Sequence, residues 1–132
     1  MDMDQNSFDS KKKASYNIVN FIDTKQVARE FVDYFYKEIG SNFHNLISNN
    51  TLRQHTKVVY ENKDYTGDDM IPVLANLVEN IFTIHNIASV DSGSRAIHIT
   101  VVGLTDKNTI FSHTFLICHH SDSWYIKHAL FM

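Results

Sequence analysis

Apolar and polar positions alternate in two different rhythms along this chain, and the change of rhythm divides it. From Asp23 the period is helical: Val27, Phe31, Tyr34, Phe35 and Glu38 follow one another at three- and four-residue steps. Asp23 is a capping residue with Gln26 three positions on, the spacing at which a side chain reaches back to the capping residue's own amide. Gly40 suits the stop. A second, shorter helix is predicted over Phe43 to Arg53, presenting Phe43, Leu46, Ile47 and Leu52. "HTKVVYENKDYTG" reads as a strand, a turn at Asn62-Lys63 and a return ending at Gly67. Asp68 and Asp69 favour a third helix N-terminus, with Pro72 tolerated in the first turn and Ile71, Leu74, Leu77, Val78 and Ile81 as its apolar stripe.

The last fifty residues change to period two. "FTIHNIASVD", "RAIHITVVGL", "TIFSHTFLIC" and "WYIKHALF" are four strand-like runs joined by turn-forming "SGS", "TDKN" and "HHSDS". Helices first and an antiparallel meander afterwards define an α+β domain, with helices packed on one face of a curved antiparallel sheet. A symmetric hairpin register would place Ile97, Ile99, Val101 and Gly103 beside Phe111, His113, Phe115 and Ile117. That face is the more aromatic and is expected to meet the helices. The other face carries His98, Thr100, Val102, Ser112, Thr114, Leu116, Cys118, His128 and Leu130. It is half apolar, a composition that suits a sheet face covered by another subunit.

Composition narrows the function classes. At 132 residues the chain has the length of one domain, and 43% hydrophobic residues with 4 Gly and 1 Pro supply a core. A net charge of -3 offers no basic field for phosphate backbones, so direct nucleic-acid binding is not expected. Cys118 is the single cysteine and suits a reducing compartment. No apolar run approaches the ~20 residues of a membrane span, and "MDMDQNSFDSKKK" is too polar for a signal peptide. Nucleus and cytoplasm remain as the expected location. Residues 1–20 read as a mobile tail and 21–132 as the folded domain.

Candidate chemistry is sparse. His113, between Phe111 and Phe115 on the inner face, is expected to be a hydrogen-bonded interior residue, with a catalytic base as the alternative. Tyr34, Tyr36 and Tyr60 could supply a phenol, but no acid partner is evident. His119 and His120 are adjacent and would point to opposite strand faces, and His98 with His128 has no obvious third ligand, so no metal and no cofactor are expected.

The order helix, helix, small hairpin, helix and curved sheet resembles the nuclear transport factor 2-like family. "AREFVDYFY" is similar to its first helix, "VVYENKDYTG" to its aromatic hairpin, "FSHTFLI" to its F-x-Q-x-F strand and "WYIKHALF" to its closing strand; together they span about residues 22 to 132. The resemblance implies a cone with three helices on the inner face of the sheet and an apolar cavity. It implies a non-catalytic transport subunit that pairs with an mRNA export receptor of the Tap type and helps bind Phe-Gly nucleoporins. The implied partner interface is His98, Thr100, Val102, Ser112, Thr114, Leu116, His128 and Leu130. It also implies an alternative, a homodimeric carrier of Ran-GDP, with Tyr60, Glu61, Asp106 and Phe131 at the cavity mouth and in contact with Ran. A second alternative is a small-molecule isomerase or dehydratase of the same fold. The family's closing Arg is Met132 here, and Thr100 and Thr114 stand where the homodimeric carrier has Met.

Overall fold

The computed structural model describes residues 23–132. The predicted tail, 1–20, lies outside them, as do the first two residues of the predicted domain. Helix α1 runs Thr24–Ser41 and α2 His44–Ser48; strand β1, Leu52–Tyr60, and β2, Lys63–Tyr65, form a hairpin. A single 3₁₀ turn, Gly67–Asp69, leads into α3, Met70–Val78. Four long strands follow: β3 Phe82–Asp91, β4 Ala96–Thr105, β5 Ile110–His120 and β6 Ser123–Phe131. No helix among the described residues is long and apolar enough to cross a membrane.

The start of α1 is half of the expected capping arrangement. Asp23 accepts a hydrogen bond from the Gln26 amide at 3.2 Å, but the Gln26 side chain turns forward and donates to Glu30 at 3.0 Å. Carboxylate acceptance is the stronger bond and it is one helical turn away on the same face. Gly40 falls inside the last turn, and Asn42 closes the helix by donating to the Glu38 carbonyl. The predicted second helix is cut to one turn because Leu52 already belongs to β1, where its side chain is buried. The hairpin turn sits one residue earlier than expected: Glu61 and Asn62 both take positive φ, 52° and 66°, the conformation of a two-residue turn that matches strand twist.

The apolar stripe of α3 is also rotated from the expected one. Met70, Val73, Leu74 and Leu77 are buried, whereas Val78 and Ile81 are exposed, Ile81 at 70%. The buried residues follow the i, i+3, i+4, i+7 spacing from Met70, and Ile81 lies beyond the helix, which ends at Val78.

All six strands form one sheet in the order β2-β1-β6-β5-β4-β3. The sheet is mixed, not wholly antiparallel: β1 pairs with β6 in parallel, through Val58↔Ala129 and Tyr60↔Phe131. That long-range pairing joins the small hairpin to the meander. It breaks between Leu52 and Lys57, where buried Thr56 spans the gap, its hydroxyl donating to the Ile126 carbonyl at 2.6 Å and accepting from the Arg53 amide at 2.9 Å. The β4–β5 register is the symmetric one, Gly103↔Phe111 through Ile97↔Ile117.

Helix α1 lies against β3 and β4, and α3 packs on α1. Phe31 and Phe35 of α1 meet Phe115 of β5 edge-on, with ring centroids 5.2 and 4.9 Å apart. All three are fully buried. Such pairs add about 0.5–1.5 kcal/mol each to the burial itself. The core therefore fills one end of the space between α1 and the sheet, and the other end stays open.

Candidate functional site

At that open end the inner sheet face and α3 enclose a cavity of about 620 Å³. Strand parity builds its floor. Cross-strand pairing sets Val101, His113 and Phe131 side by side, and Tyr60 beside Phe131, so Tyr60, Phe131 and His113 share the inner face. Phe82 and Phe111 stand edge to face at 4.9 Å, and Phe131 is perpendicular to the His113 ring at 4.9 Å. Helix α3 contributes Asn76, Leu77 and Asn80 to the opposite wall, and the β1–β2 turn places Glu61 and Asn62 at the rim.

One polar pair is set into these rings. The Tyr36 hydroxyl and His113 Nδ1 are 2.6 Å apart, with the two rings nearly parallel at 9°. Burial pushes the His113 pKa down from 6.5 to about 3, and burial pushes the Tyr36 phenol above its ordinary value. Both groups are therefore neutral at physiological pH. A phenol can donate or accept, so the bond is made with Nδ1 as acceptor or with Nδ1–H as donor, according to which ring nitrogen carries the imidazole proton. Nε2 has no hydrogen-bond partner among the described residues, yet the one sealed and unpaired side-chain nitrogen among them is Trp124 Nε1. His113 is 3% exposed and borders the cavity, so Nε2 faces that space. The Tyr60 phenol is raised first by burial and next by the Glu61 charge, against an opposing hydrogen bond with the Asn76 side chain.

The residues singled out in the sequence fall into two separate groups. Tyr60, Glu61 and Phe131 border the cavity. Asp106 does not: its carboxylate accepts from the Ile81 amide at 3.0 Å while its own amide donates to the Ile81 carbonyl at 2.9 Å. That Ile81 bond, then neighbouring Lys107, holds the Asp106 carboxyl below the usual range. Lys107 in turn donates to the Glu79 carbonyl at 2.9 Å, so the β4–β5 turn is laced to the end of α3.

His98, Thr100, Val102, Ser112, Thr114, Leu116, His128 and Leu130 lie on the outer face in matched rows. The pairs are His98↔Leu116↔His128, Thr100↔Thr114↔Leu130 and Val102↔Ser112. Thr100, Val102, Ser112, Thr114, Leu116 and Leu130 are half-buried; His98 and His128 are exposed. Leu130 also borders the cavity.

Sequence reasoning missed Phe82, Asn76 and Asn80 as cavity residues, and Tyr36 as the partner of His113. The Asn76/Asn80 spacing of four residues beside Leu77 was the available signal for a partly polar face of α3. Among the described residues no three His, Cys, Asp or Glu side chains gather as a metal site.

Solved structures share this architecture. Nuclear transport factor 2 from Cryptosporidium parvum superposes with a TM-score of 0.62 at 16% identity, over 82% of this chain and 92% of that one. A ketosteroid isomerase-like protein from Shewanella frigidimarina gives 0.65 at 14% identity, over 80% and 94%. A nuclear transport factor 2-like protein from Cytophaga hutchinsonii gives 0.66 at 7% identity, over 84% and 98%. The chain thus has the cone-shaped nuclear transport factor 2-like fold, a curved mixed sheet of six strands with three helices. At these identities the likeness is one of fold. No protein-family model matches the chain, and no curated protein matches it.

Proposed function

We propose that the chain is a non-catalytic protein-pairing subunit that docks through the outer face of its sheet. The observation that carries this reading is the row structure of that face, where Val102, Leu116 and Leu130 are interrupted chiefly by the hydroxyls of Thr100, Ser112 and Thr114. Hydroxyls on neighbouring strands can pair across an interface as well as within it, and the aliphatic groups between them gain from being covered. A stable pairing of this kind buries ~800 Å² per partner. In its most specific form the reading makes the chain the small partner of an mRNA export receptor of the Tap type, aiding Phe-Gly nucleoporin binding and shuttling between nucleus and cytoplasm. The ordered motifs of the sequence and the fold shared with nuclear transport factor 2 support that form.

The cavity chemistry supports a non-catalytic role. Proton transfer is most effective when the base titrates near the working pH. His113 is held neutral down to about pH 3, far from that condition.

Light scattering on the full chain during size-exclusion chromatography, alone and with the receptor's pairing domain, tests the reading. A one-to-one complex that Leu116→Glu abolishes is the expected result, because a charge buried on that face would lack a partner. A monomer unaffected by Leu116→Glu and indifferent to the receptor would overturn it. A stable homodimer that captures Ran-GDP would replace it with the import-carrier alternative.

A further inference from the structure

We infer that the free edge of β3 is a self-pairing surface, on which β3 of a second copy of this chain adds antiparallel about a two-fold axis and joins the two sheets. The strand order leaves β2 and β3 as the edges of the sheet, and they are built differently. β2 is three residues long and carries Lys63 and Asp64, the short and charged form that discourages pairing. β3 is ten residues long, and residues 82–90 hold no Lys, Arg, Asp, Glu or Pro. Its one interruption is the register shift between Ile84 and Asn86; beyond it, residues 86–91 pair with β4 without a break.

Backbone parity says which groups of that run are open. The Ser92 amide donates to the Ala96 carbonyl at 2.9 Å, so Ser92 turns its backbone towards β4. Strand alternation then turns Val90, Ala88 and Asn86 the same way, and Asp91, Ser89 and Ile87 away from β4. The amides and carbonyls of those three residues have no backbone partner among the described residues. On the same run Val90 is 64% exposed. Extended, uncharged backbone of this kind is a template for another strand.

The strand fits its own sequence reversed, and that selects a second copy as the occupant. With Ser89 on the axis, Ser89 faces its counterpart and Ile87 faces the partner's Asp91, so every outward-turned amide and carbonyl is paired. The neighbouring registers set Asp91 against the bulge or Ile87 against the β3–β4 turn, and lose pairs. Ala88 lies beside the partner's Val90, small against branched, which covers the exposed valine. The two Asp91 carboxylates fall at opposite ends of the ladder, so no like charges meet. Such a pairing is isologous and closes at two copies. The ladder is short, so association should depend on concentration. It uses the strand edge and not the outer face of the sheet, and is read independently of the docking proposed above.

Sedimentation equilibrium of the full-length chain over a rising concentration series tests this. A monomer–dimer equilibrium is expected. It should be weakened at least tenfold by Val90→Lys, which sets a charge beside the partner's Ala88, and by Ser89→Pro, which removes an amide that β4 does not use. Leu116→Glu should leave it unchanged. In amide exchange, Ile87, Ser89 and Asp91 should gain protection as concentration rises, while Ala88 and Val90 stay protected throughout. In a Cys118→Ser background, Ser89→Cys should oxidise to a disulfide-linked dimer, since the Cα atoms of such a pair lie about 5.5 Å apart. Ala88→Cys, about 7–8 Å from its counterpart, should do so at least tenfold more slowly. If Ser89→Pro fails to fold, Val90→Lys carries the comparison. A monomer at every concentration would overturn the inference. So would a dimer that Val90→Lys leaves intact and Leu116→Glu dissolves, which would belong to the outer face. Protection of the three amides without self-association would overturn it too, since each copy would then cover its own edge.

Discussion

Tyr36 on the first helix and His113 on the fifth strand, 77 positions apart in sequence, meet at 2.6 Å and satisfy one nitrogen of a buried imidazole. The pair ties α1 to the middle of the sheet at the boundary between the packed aromatic core and the open cavity. Loss of either polar group would leave the other buried without its partner, so the contact is structural as well as directional.

The stability of the fold should depend on pH through this histidine. Its pKa falls from 6.5 to about 3 on folding, by burial. Between those values the unfolded chain binds a proton that the folded chain refuses, so stability rises with pH across the window. The contribution is complete above about pH 6.5 and is lost as pH falls towards 3, with a slope of up to about 1.4 kcal/mol per pH unit. Urea unfolding of the wild type and of His113→Gln at a series of pH values checks this. The difference between their stabilities should narrow or reverse on acidification, and parallel curves would show that His113 titrates normally.

How much of this was legible in the sequence follows from the range of each interaction. The period-two runs located β3 to β6 to within two residues at each end, because alternation is a local signal set by which face is buried. The same alternation put His113 on the inner face. It could not supply Tyr36, since the helix periodicity around Phe31 and Phe35 describes a stripe and not the depth at which each ring ends. The parallel β1–β6 pairing was invisible for a related reason: a strand's own pattern does not say which distant strand closes beside it. On α3 the helix stops at Val78, so Ile81, expected to continue its stripe, lies beyond the helix and is exposed.

Thr56 carries the parallel junction. Its hydroxyl satisfies the Arg53 amide and the Ile126 carbonyl where the β1–β6 ladder is interrupted. Thr56→Val keeps the shape and removes both bonds, leaving two backbone groups unpaired in a fully buried position. A loss of roughly 1–3 kcal/mol in urea unfolding is expected. Thr56→Ser, which retains the hydroxyl, should recover most of it.

Gly103 is required by a close approach. A Cβ at this position would collide with the Thr83 carbonyl oxygen and lie 2.9 Å from Phe111 Cε2. The strand next to it, β3, slips register between Ile84 and Asn86, and the collision point lies just before that slip. Backbone cannot swing away as a side chain can, so Gly103→Ala should cost about 1–3 kcal/mol or more, the range for overpacking a filled site. Urea unfolding of Gly103→Ala beside the wild type measures this cost, and an unchanged midpoint would show that β3 yields to the added methyl.

Asp106 tests whether the cavity's α3 wall is held by the turn between β4 and β5. Its carboxylate and amide exchange hydrogen bonds with both backbone groups of Ile81, just after the end of α3. Lys107 adds bonds to the Glu79 carbonyl and the Asn80 side chain at 2.9 and 3.2 Å. These contacts are solvent-exposed, so removing one should change local opening more than global stability. Asp106→Ala deletes the side-chain half of the exchange and leaves the backbone half. The Ile81 amide should then exchange with deuterium faster while the midpoint of thermal unfolding stays close to that of wild type. The wild type should show the same faster exchange, relative to other amides, once acid protonates Asp106 below its already lowered pKa, since the acceptor weakens with its charge. Unchanged protection of Ile81 in Asp106→Ala would mean that the wall is held by the Lys107 contacts and the packing of Leu77 instead.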